Sequence, residues 1–174
     1  MSREHLYKAK RVNWRELTEE QWWVEGFYVQ LPKPSLGATM AAGGELCADD
    51  VADYIVVNKP KQHPNFPNSY PLEIVECEQY EVDPETVCEY TGLTDKNGRK
   101  IFENDFVSCR QYIGGNWVEH CIERGYVEMK HGAFGLHRKQ GYYRSFKDWL
   151  EDYEYEAVGN VFDNPELLEG GVVE

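Results

Sequence analysis

Apolar and polar residues alternate over short stretches of the chain, which is the pattern of half-buried β-strands. The stretch "WWVEGFYVQ", residues 22–30, combines aromatic and β-branched residues, and "DYIVVN", Asp53–Asn58, is of the same kind. A shorter candidate strand runs from Tyr7 to Val12. In the second half, the predicted strands are "RKIF", "FVSCR", "WVEHCIE", "YVEMKH", "AFGLHR" and "YEAVGNVFD". The pattern therefore predicts a mainly β, β-rich α+β chain.

Turn residues separate these strands in the second half of the chain. Asn97-Gly98 and Asn104-Asp105 have the composition of tight turns, because Gly and Asn tolerate a positive φ and Asp bonds to nearby backbone. Gly114-Gly115-Asn116 and Gly125 indicate further turns. Short strands with frequent turns are typical of a small barrel or sandwich.

Helical signals are few and short. Thr18 has capping-box spacing and predicts one helical turn. Ser145 and Asp148 have the same spacing, with Asp in the place of Glu, and predict a helix over "FKDWLEDY". Asn164 as N-cap and Pro165 at the first helical position predict a terminal turn over "NPELL".

Proline marks the expected boundary between the two halves. Residues 58–71 hold four of the eight prolines, which predicts a long exposed loop or a linker. We therefore expect N-terminal strands and long loops over residues 1–75, a β domain over 76–168, and a tail over 169–174.

A series of motifs in the second half resembles a known family. "PETVCEYTGLTDKNGRKIFENDFV", "AFGL" and "YEAVGNVFDNPELL" are similar to the YopX family of phage and prophage proteins. Gly159, in the closing motif, is counted with the turn positions. Asn104 stands where the family usually has glycine, and because asparagine tolerates the left-handed region we expect the turn to survive.

The resemblance implies a phage or prophage origin. It also implies a small SH3-like barrel in the C-terminal half, with an N-terminal β-containing extension. It implies no reaction and supplies no catalytic residues.

Composition and charge limit the class of protein. The 174 residues include 41% hydrophobic residues, which is enough for a core, and the net charge is −13, which disfavours general binding to nucleic acid or acidic membranes. No apolar run approaches the roughly 20 residues that span a bilayer. The charged N-terminus differs from a signal peptide, and five cysteines without a CxxC pair indicate reduced thiols. We expect a cytoplasmic protein of a bacterial host, with no membrane partner.

The sequence gives little indication of a catalytic or metal-binding site. Glu103 and Asp105 could contribute oxygens to a Mg²⁺ site, but two carboxylates fall short of a coordination set, and Asp105 is better explained by hydrogen bonds within the turn. The chain has no P-loop, GxGxxG or GxSxG motif. The possible zinc ligands match no known spacing; they are Cys109, His120, Cys121, His131 and His137. We therefore predict no enzyme, no metal and no cofactor.

The charge is unevenly distributed, since residues 1–15 and 124–147 are basic. The second segment interleaves bases with aromatic residues, as surfaces that bind single-stranded nucleic acid do. Ordinary β-sheet sequence would look the same. Docking on an acidic surface of another subunit or protein fits the overall acidity better. The candidate binding residues are Arg124, Lys130, Arg138, Lys139, Tyr142, Tyr143 and Arg144.

Acidic residues cluster before this segment. Regularly spaced carboxylates on one face could mimic DNA, whereas a solvated acidic surface keeps a protein in solution. The acids are Glu73, Glu76, Glu78, Glu81, Asp83, Glu85 and Glu89.

The sequence thus predicts a non-enzymatic phage or prophage protein that binds another phage or host protein or forms a homo-oligomer. Nucleic-acid binding through 124–147 is the alternative, and DNA mimicry is a further one.

Overall fold

The computed structural model describes residues 5–33, 51–62, 73–138, 141–146 and 153–169. Strands dominate these residues, so the predicted mainly β fold is confirmed. The described residues form two compact units, residues 5–87 and residues 88–169. In the described part of the chain, no helix has the length and apolar composition needed to cross a bilayer.

The first unit contains four antiparallel strands. They are β1 (Tyr7–Lys10), β2 (Trp23–Pro32), β3 (Val51–Gln62) and β4 (Glu73–Glu81), which lie side by side in the order β4-β3-β2-β1. Three short 3-10 turns, Trp14–Glu16, Glu19–Gln21 and Pro84–Thr86, complete the unit. Its core is built on Ala9, Ile55 and Val82, and Tyr7, Val24 and Tyr28 pack against them.

The proline-rich stretch is partly a strand, so its interpretation as a loop or linker is wrong for residues 58–62. β3 continues to Gln62 and pairs with β4, with Pro60 opposite Val75. Among the described residues, β2 pairs with β3 only between Val51 and Val56. Within the described ranges, one side of β3 therefore has no neighbouring strand at Pro60, and a proline that lacks an N–H is tolerated there.

This hairpin also affects the domain boundary. β4 begins just before the predicted boundary at 75/76, and its pairing with β3 keeps it within the first unit. Packing divides the chain between Val87 and Cys88.

The second unit holds the remaining strands. They are β5 (Cys88–Thr94), β6 (Lys100–Phe102), β7 (Asp105–Ile113), β8 (Asn116–Lys130), β9 (Ala133–His137), β10 (Tyr143–Ser145) and β11 (Tyr153–Asn160). Five of them form an antiparallel sheet in the order β10-β9-β8-β7-β11. This sheet curls as a half-barrel. The core of the second unit includes Ile101, Val107, Val127, Phe134, Leu136, Phe146 and Tyr155.

One detail of the second unit differs from the prediction. β8 is one strand through Gly125, where the sequence indicated a turn between two strands. A side chain at Gly125 would meet the carbonyl oxygen of His137 at 2.5 Å, so this glycine permits close approach of β9 rather than a turn. A short α-helix, α1 (Glu166–Glu169), follows Asn164 and Pro165 as predicted. The helix predicted over "FKDWLEDY" falls mostly on residues 147–152, outside the described residues.

The turn after β5 is attached to the edge strand β11. The carboxylate of Asp95 accepts hydrogen bonds from the backbone N–H groups of Asn97 (2.8 Å), Arg99 (3.0 Å) and Ala157 (3.3 Å). Burial alone would raise the pKa of Asp95, but these N–H donors lower it below its usual value. Gly98, with φ 80°, completes the turn. The turn therefore covers part of the outer edge of β11.

The turn between β6 and β7 is also fixed by its own residues. Asn104 has φ 64°, and its N–H donates to the carbonyl of Val127 at 2.8 Å. Asp105 is fully buried, and its carboxylate accepts from the N–H of Phe102 at 2.9 Å. Gly159 lies at a bulge of β11, where a side chain would meet the amide oxygen of Asn164 at 2.4 Å.

Candidate interaction surface

The five-stranded sheet has one face on the core and an opposite face, here called the outer face. Residues alternate between the faces along each strand, and the register places directly paired residues on the same face. The outer face carries Phe106, Ser108, Arg110 and Tyr112 from β7, Trp117, Arg124, Tyr126, Glu128 and Lys130 from β8, His137 from β9, Tyr143 from β10, and Glu154 and Glu156 from β11.

The β7–β8 hairpin ends in exposed apolar side chains. Tyr112, Ile113 and Trp117 are 45%, 47% and 40% exposed. The Tyr112 and Trp117 rings meet edge to face, with centroids 5.2 Å apart. Gly114 and Gly115, with φ 60° and 91°, form the connecting turn. We call residues 112–117 the aromatic tip.

The core ends before the aromatic tip begins. Val107 and Cys109, on the core-facing side of β7, are 0% and 2% exposed, whereas Ile113 on the same side is 47% exposed. β11 pairs with β7 only as far as Gln111. Both faces of the tip are therefore accessible, as far as the described residues extend.

A salt bridge supports the tip from the outer face. Arg110 Nε and Nη2 each lie 2.5 Å from Glu154 Oε2, so β7 and β11 are joined by a two-point contact. The Arg110 guanidinium lies 5.4 Å from the centre of the Trp117 ring. This arrangement restricts the Trp117 side chain before any partner arrives.

Further along the outer face, a histidine is held between a tyrosine and a carboxylate. His137 Nδ1 lies 3.0 Å from the Tyr126 hydroxyl and 2.8 Å from Glu128 Oε2, and the two rings are stacked with centroids 5.0 Å apart. Glu103 lies near Glu128, and burial, together with the nearby carboxylates, raises its pKa above the usual value. Acids thus accompany the bases of this face.

The predicted basic residues do not gather on one surface. Arg124 and Lys130 lie on the outer face, where Lys130 Nζ is 5.9 Å from the centre of the Tyr143 ring. Arg144 faces the core side, and its Nη1 donates to the Tyr153 hydroxyl at 3.1 Å.

The other predicted residues of this segment lie in or near the loop after β9. Arg138 is half-buried, and Tyr142 is 71% exposed. Lys139 lies outside the described residues. The binding role of these residues stays a prediction.

The possible zinc ligands can be followed for Cys109, His131 and His137, whose side chains the structure describes. In the described ranges, no three His, Cys, Asp or Glu side chains are grouped so that they could hold a metal ion. Cys109 is buried in the core, and burial raises its thiol pKa to about 11, so at neutral pH it is protonated. The side chains of His120 and Cys121 are outside the described set.

The acidic residues near β4 are also divided. Glu76 and Glu78 lie on one face of β4 and Glu81 on the other, because they occupy even and odd positions of one strand. Glu78 Oε2 is 2.6 Å from Lys59 Nζ. The carboxylate of Asp83 accepts from the N–H of Glu85 at 3.1 Å. DNA mimicry stays a prediction, and these carboxylates do not share one face.

Two lysines of the basic N-terminal segment are buried, whereas Arg15 is exposed. Lys8 and Lys10 are 6% and 4% exposed, on the side of β1 that faces away from Ala9. Lys10 Nζ lies 4.3, 5.0 and 5.4 Å from the ring centres of Trp14, Trp22 and Trp23. We call Lys8, Lys10, Trp14, Trp22 and Trp23 the tryptophan–lysine cluster. The signal missed in the sequence is a pair of lysines at alternate positions of a short strand, next to three tryptophans.

Comparisons with known proteins complete the description. A family model described as "YopX protein" matches residues 46–169. The chain is similar to a solved structure, "Crystal structure of protein EF1440 from Enterococcus faecalis", with 20% identity, a TM-score of 0.46, and coverage of 96% of this chain and 99% of that chain. No curated protein sequence matches the chain.

Proposed function

The chain belongs to the YopX family, and on that premise we propose that it is a non-enzymatic phage or prophage protein that binds another protein in the bacterial host. The observation that carries this proposal is the aromatic tip, where three large apolar side chains are about half exposed beyond the core of their unit. Apolar side chains grouped in this way mark interaction sites on protein surfaces.

The composition of the tip favours a protein partner. Aromatic residues are enriched in protein interfaces and charged residues are depleted at their centres. Residues 111–118, "QYIGGNWV", include no charged side chain in a chain where 28% of residues are charged. Burying such a segment removes apolar surface from water without the cost of desolvating a charge.

The support beneath the tip favours binding further. Arg110 and Glu154 restrict Trp117 in the free protein. A side chain that is already ordered loses less conformational freedom on binding, which improves affinity. Trp117 is therefore the expected hot-spot residue of the interface.

A photo-crosslinking experiment tests this proposal. Ile113→benzoylphenylalanine places a photoreactive group in the tip while keeping Tyr112 and Trp117. Val12→benzoylphenylalanine is the control, since Val12 is 50% exposed and lies in the first unit. In bacteria that express the chain, we expect an adduct from position 113 that is absent from position 12 and is lost when Trp117→Glu is added.

The captured protein is then purified and titrated by calorimetry with the unlabelled chain. We expect Trp117→Ala to weaken this binding at least about tenfold. No adduct at position 113, or equal adducts at both positions, would contradict the proposal.

A second candidate, nucleic-acid binding, is favoured by Arg124 and Lys130 sharing the outer face with Tyr126 and Tyr143. Bases beside aromatic rings bind single strands by charge and stacking. The net charge of −13 and the nearby Glu128 oppose it. Fluorescence anisotropy with short single-stranded and duplex DNA at low salt decides this question. Binding that Arg124→Glu and Lys130→Glu abolish would favour nucleic acid, and absence of binding would remove this candidate.

A further inference from the structure

We infer that the partner is a different protein that encloses the aromatic tip in an apolar groove and contacts both faces of the hairpin. This inference rests on the proposed function and names the kind of partner. A second copy of the chain and a flat surface are the occupants that the observations disfavour.

Exposure on both faces is the first step of the argument. Tyr112 and Ile113 are consecutive residues of β7, so their side chains point to opposite faces of the hairpin. They are 45% and 47% exposed, so neither face is more covered than the other. A flat partner would cover Tyr112 and Trp117 and leave Ile113 in water. Only a partner with walls on both sides removes all three side chains from water.

Area is the second step. An aromatic side chain buries about 150–250 Å² when fully enclosed, so the exposed parts of the three side chains amount to roughly 250–300 Å². Two copies that met tip to tip would bury about 500–600 Å², whereas a stable interface needs about 1,200–2,000 Å². A groove also covers the turn and both strand backbones, and it adds the area of its own walls.

Charge is the third step. Two copies of a chain with a net charge of −13 repel each other. The tip itself has no charged side chain, and Arg110 beside it is already paired with Glu154. The tip therefore has no charge that could attract a second copy, and an apolar groove is the surface that it complements.

The hairpin length agrees with insertion. β8 residues 116–118 pair with β7 residues 111–113, so the tip is a two-stranded extension held by its own ladder. A side-chain carbon added at either glycine of the turn would meet nothing within 4 Å, so the turn is narrow and unobstructed. A narrow extension of this kind fits between the walls of a groove.

The test compares the two faces of the tip. Benzoylphenylalanine is placed separately at position 112 and at position 113, in the full-length chain. Val158→benzoylphenylalanine, on β11, is the control, because Val158 is 51% exposed and lies in the same unit. Adducts formed in bacteria are identified by mass spectrometry, and circular dichroism verifies that each variant is folded.

We expect the same partner protein at positions 112 and 113, with cross-linked peptides from two walls of one groove, and none at position 158. An adduct from one face only, an adduct with a second copy, or an adduct within the same chain would overturn the inference. An adduct with a different protein from position 113 only would leave the proposed function standing. The absence of adducts at both positions would overturn the inference and the proposed function together.

Discussion

Trp14, Trp22 and Trp23 of the first unit surround a cation, whereas Trp117 of the second unit turns its ring towards solvent. In the tryptophan–lysine cluster, three rings lie within 5.4 Å of the Lys10 ammonium, and the lysine is almost fully buried. At the aromatic tip, Trp117 has Arg110 on one side and water on the other. The same residue types therefore stabilise the fold in one place and leave apolar surface available for a partner in the other.

The two regions differ in what surrounds the cation, which is Lys10 in the first unit and Arg110 in the second. Lys10 lies among three aromatic rings, so removing one ring takes away part of the surroundings of a buried charge. Arg110 is held by the carboxylate of Glu154, so the Trp117 ring adds to a pair that is already satisfied. Loss of an aromatic ring should consequently have unequal effects in the two regions.

The largest expected effect comes from making the same substitution in both regions. Trp22→Ala removes a ring that packs edge to face on Trp14 and should lower the free energy of unfolding by about 2–4 kcal/mol. Trp117→Ala should lower it by less than about 1 kcal/mol, because the side chain is 40% exposed. Urea unfolding followed by far-ultraviolet circular dichroism measures both. Equal losses in the two variants would break the comparison.

The next effect concerns the strand that supports the tip. Asp95→Asn replaces a buried carboxylate that accepts three backbone N–H groups, one of them on β11, which also carries Glu154. We expect a loss of about 1–3 kcal/mol at pH 7. Asp83→Asn, which affects a single N–H bond in the first unit, is the matched control and should cost less.

The pH dependence of this variant follows from the lowered pKa of Asp95. A carboxyl whose pKa is lower in the folded than in the unfolded state stabilises the fold above its unfolded pKa of about 3.9. This stabilisation is lost as the pH falls through the folded pKa. Acid unfolding of the wild type should therefore be steeper than that of Asp95→Asn, and parallel curves would contradict the assignment.

Replacing the cations Lys10 and Arg110 should have smaller and unequal effects on stability. Lys10→Met removes an ammonium that is enclosed by three rings and should cost about 1–2 kcal/mol. Arg110→Met removes a partly exposed ion pair and should cost less than about 1 kcal/mol, with a difference that shrinks in 1 M salt. Thermal unfolding at low and high salt measures both. A more stable Lys10→Met variant would mean that desolvation of the ammonium outweighs its attraction to the rings.

The smallest effect concerns Glu103, whose carboxylate is partly buried and lies near Glu89 and Glu128. The pKa of Glu103 is raised in the folded state, so its ionisation costs stability once the pH rises through that pKa. Glu103→Gln should therefore raise stability at pH 7 by a few tenths of a kcal/mol, on the order of a surface charge interaction. At pH 3 the two proteins should be equally stable, because both side chains are then neutral.

The sequence predicted the fold correctly where neighbouring residues determine the local structure. Alternation located β2, the centre of β3, and β9, and turn composition located the turns at Gly98 and Asn104. β8 was divided wrongly at Gly125, because a glycine that permits close packing and a glycine that makes a turn look alike in sequence.

Which side chains are exposed was harder to predict from the sequence, because exposure depends on the strand register and on where the core ends. Arg144 and Tyr143 are adjacent in sequence but face opposite sides of β10. Lys8 and Lys10 belong to the basic N-terminal segment of the sequence, yet both are buried. In the sequence, the apolar residues of the aromatic tip look like core residues. The structure shows that Ile113 lies beyond Cys109, the last buried residue on the core-facing side of β7.

The pairing of β7 with β11 also sets the order of events during protein synthesis. Arg110 and Glu154, which join these strands, are 44 positions apart, so the ribosome needs roughly 2–9 s at about 5–20 residues per second to deliver the second after the first. The pairs β1–β2, β2–β3 and β3–β4 all lie within residues 5–87 and are synthesised before this step. The β7 edge that pairs with β11 is therefore synthesised seconds before its partner strand.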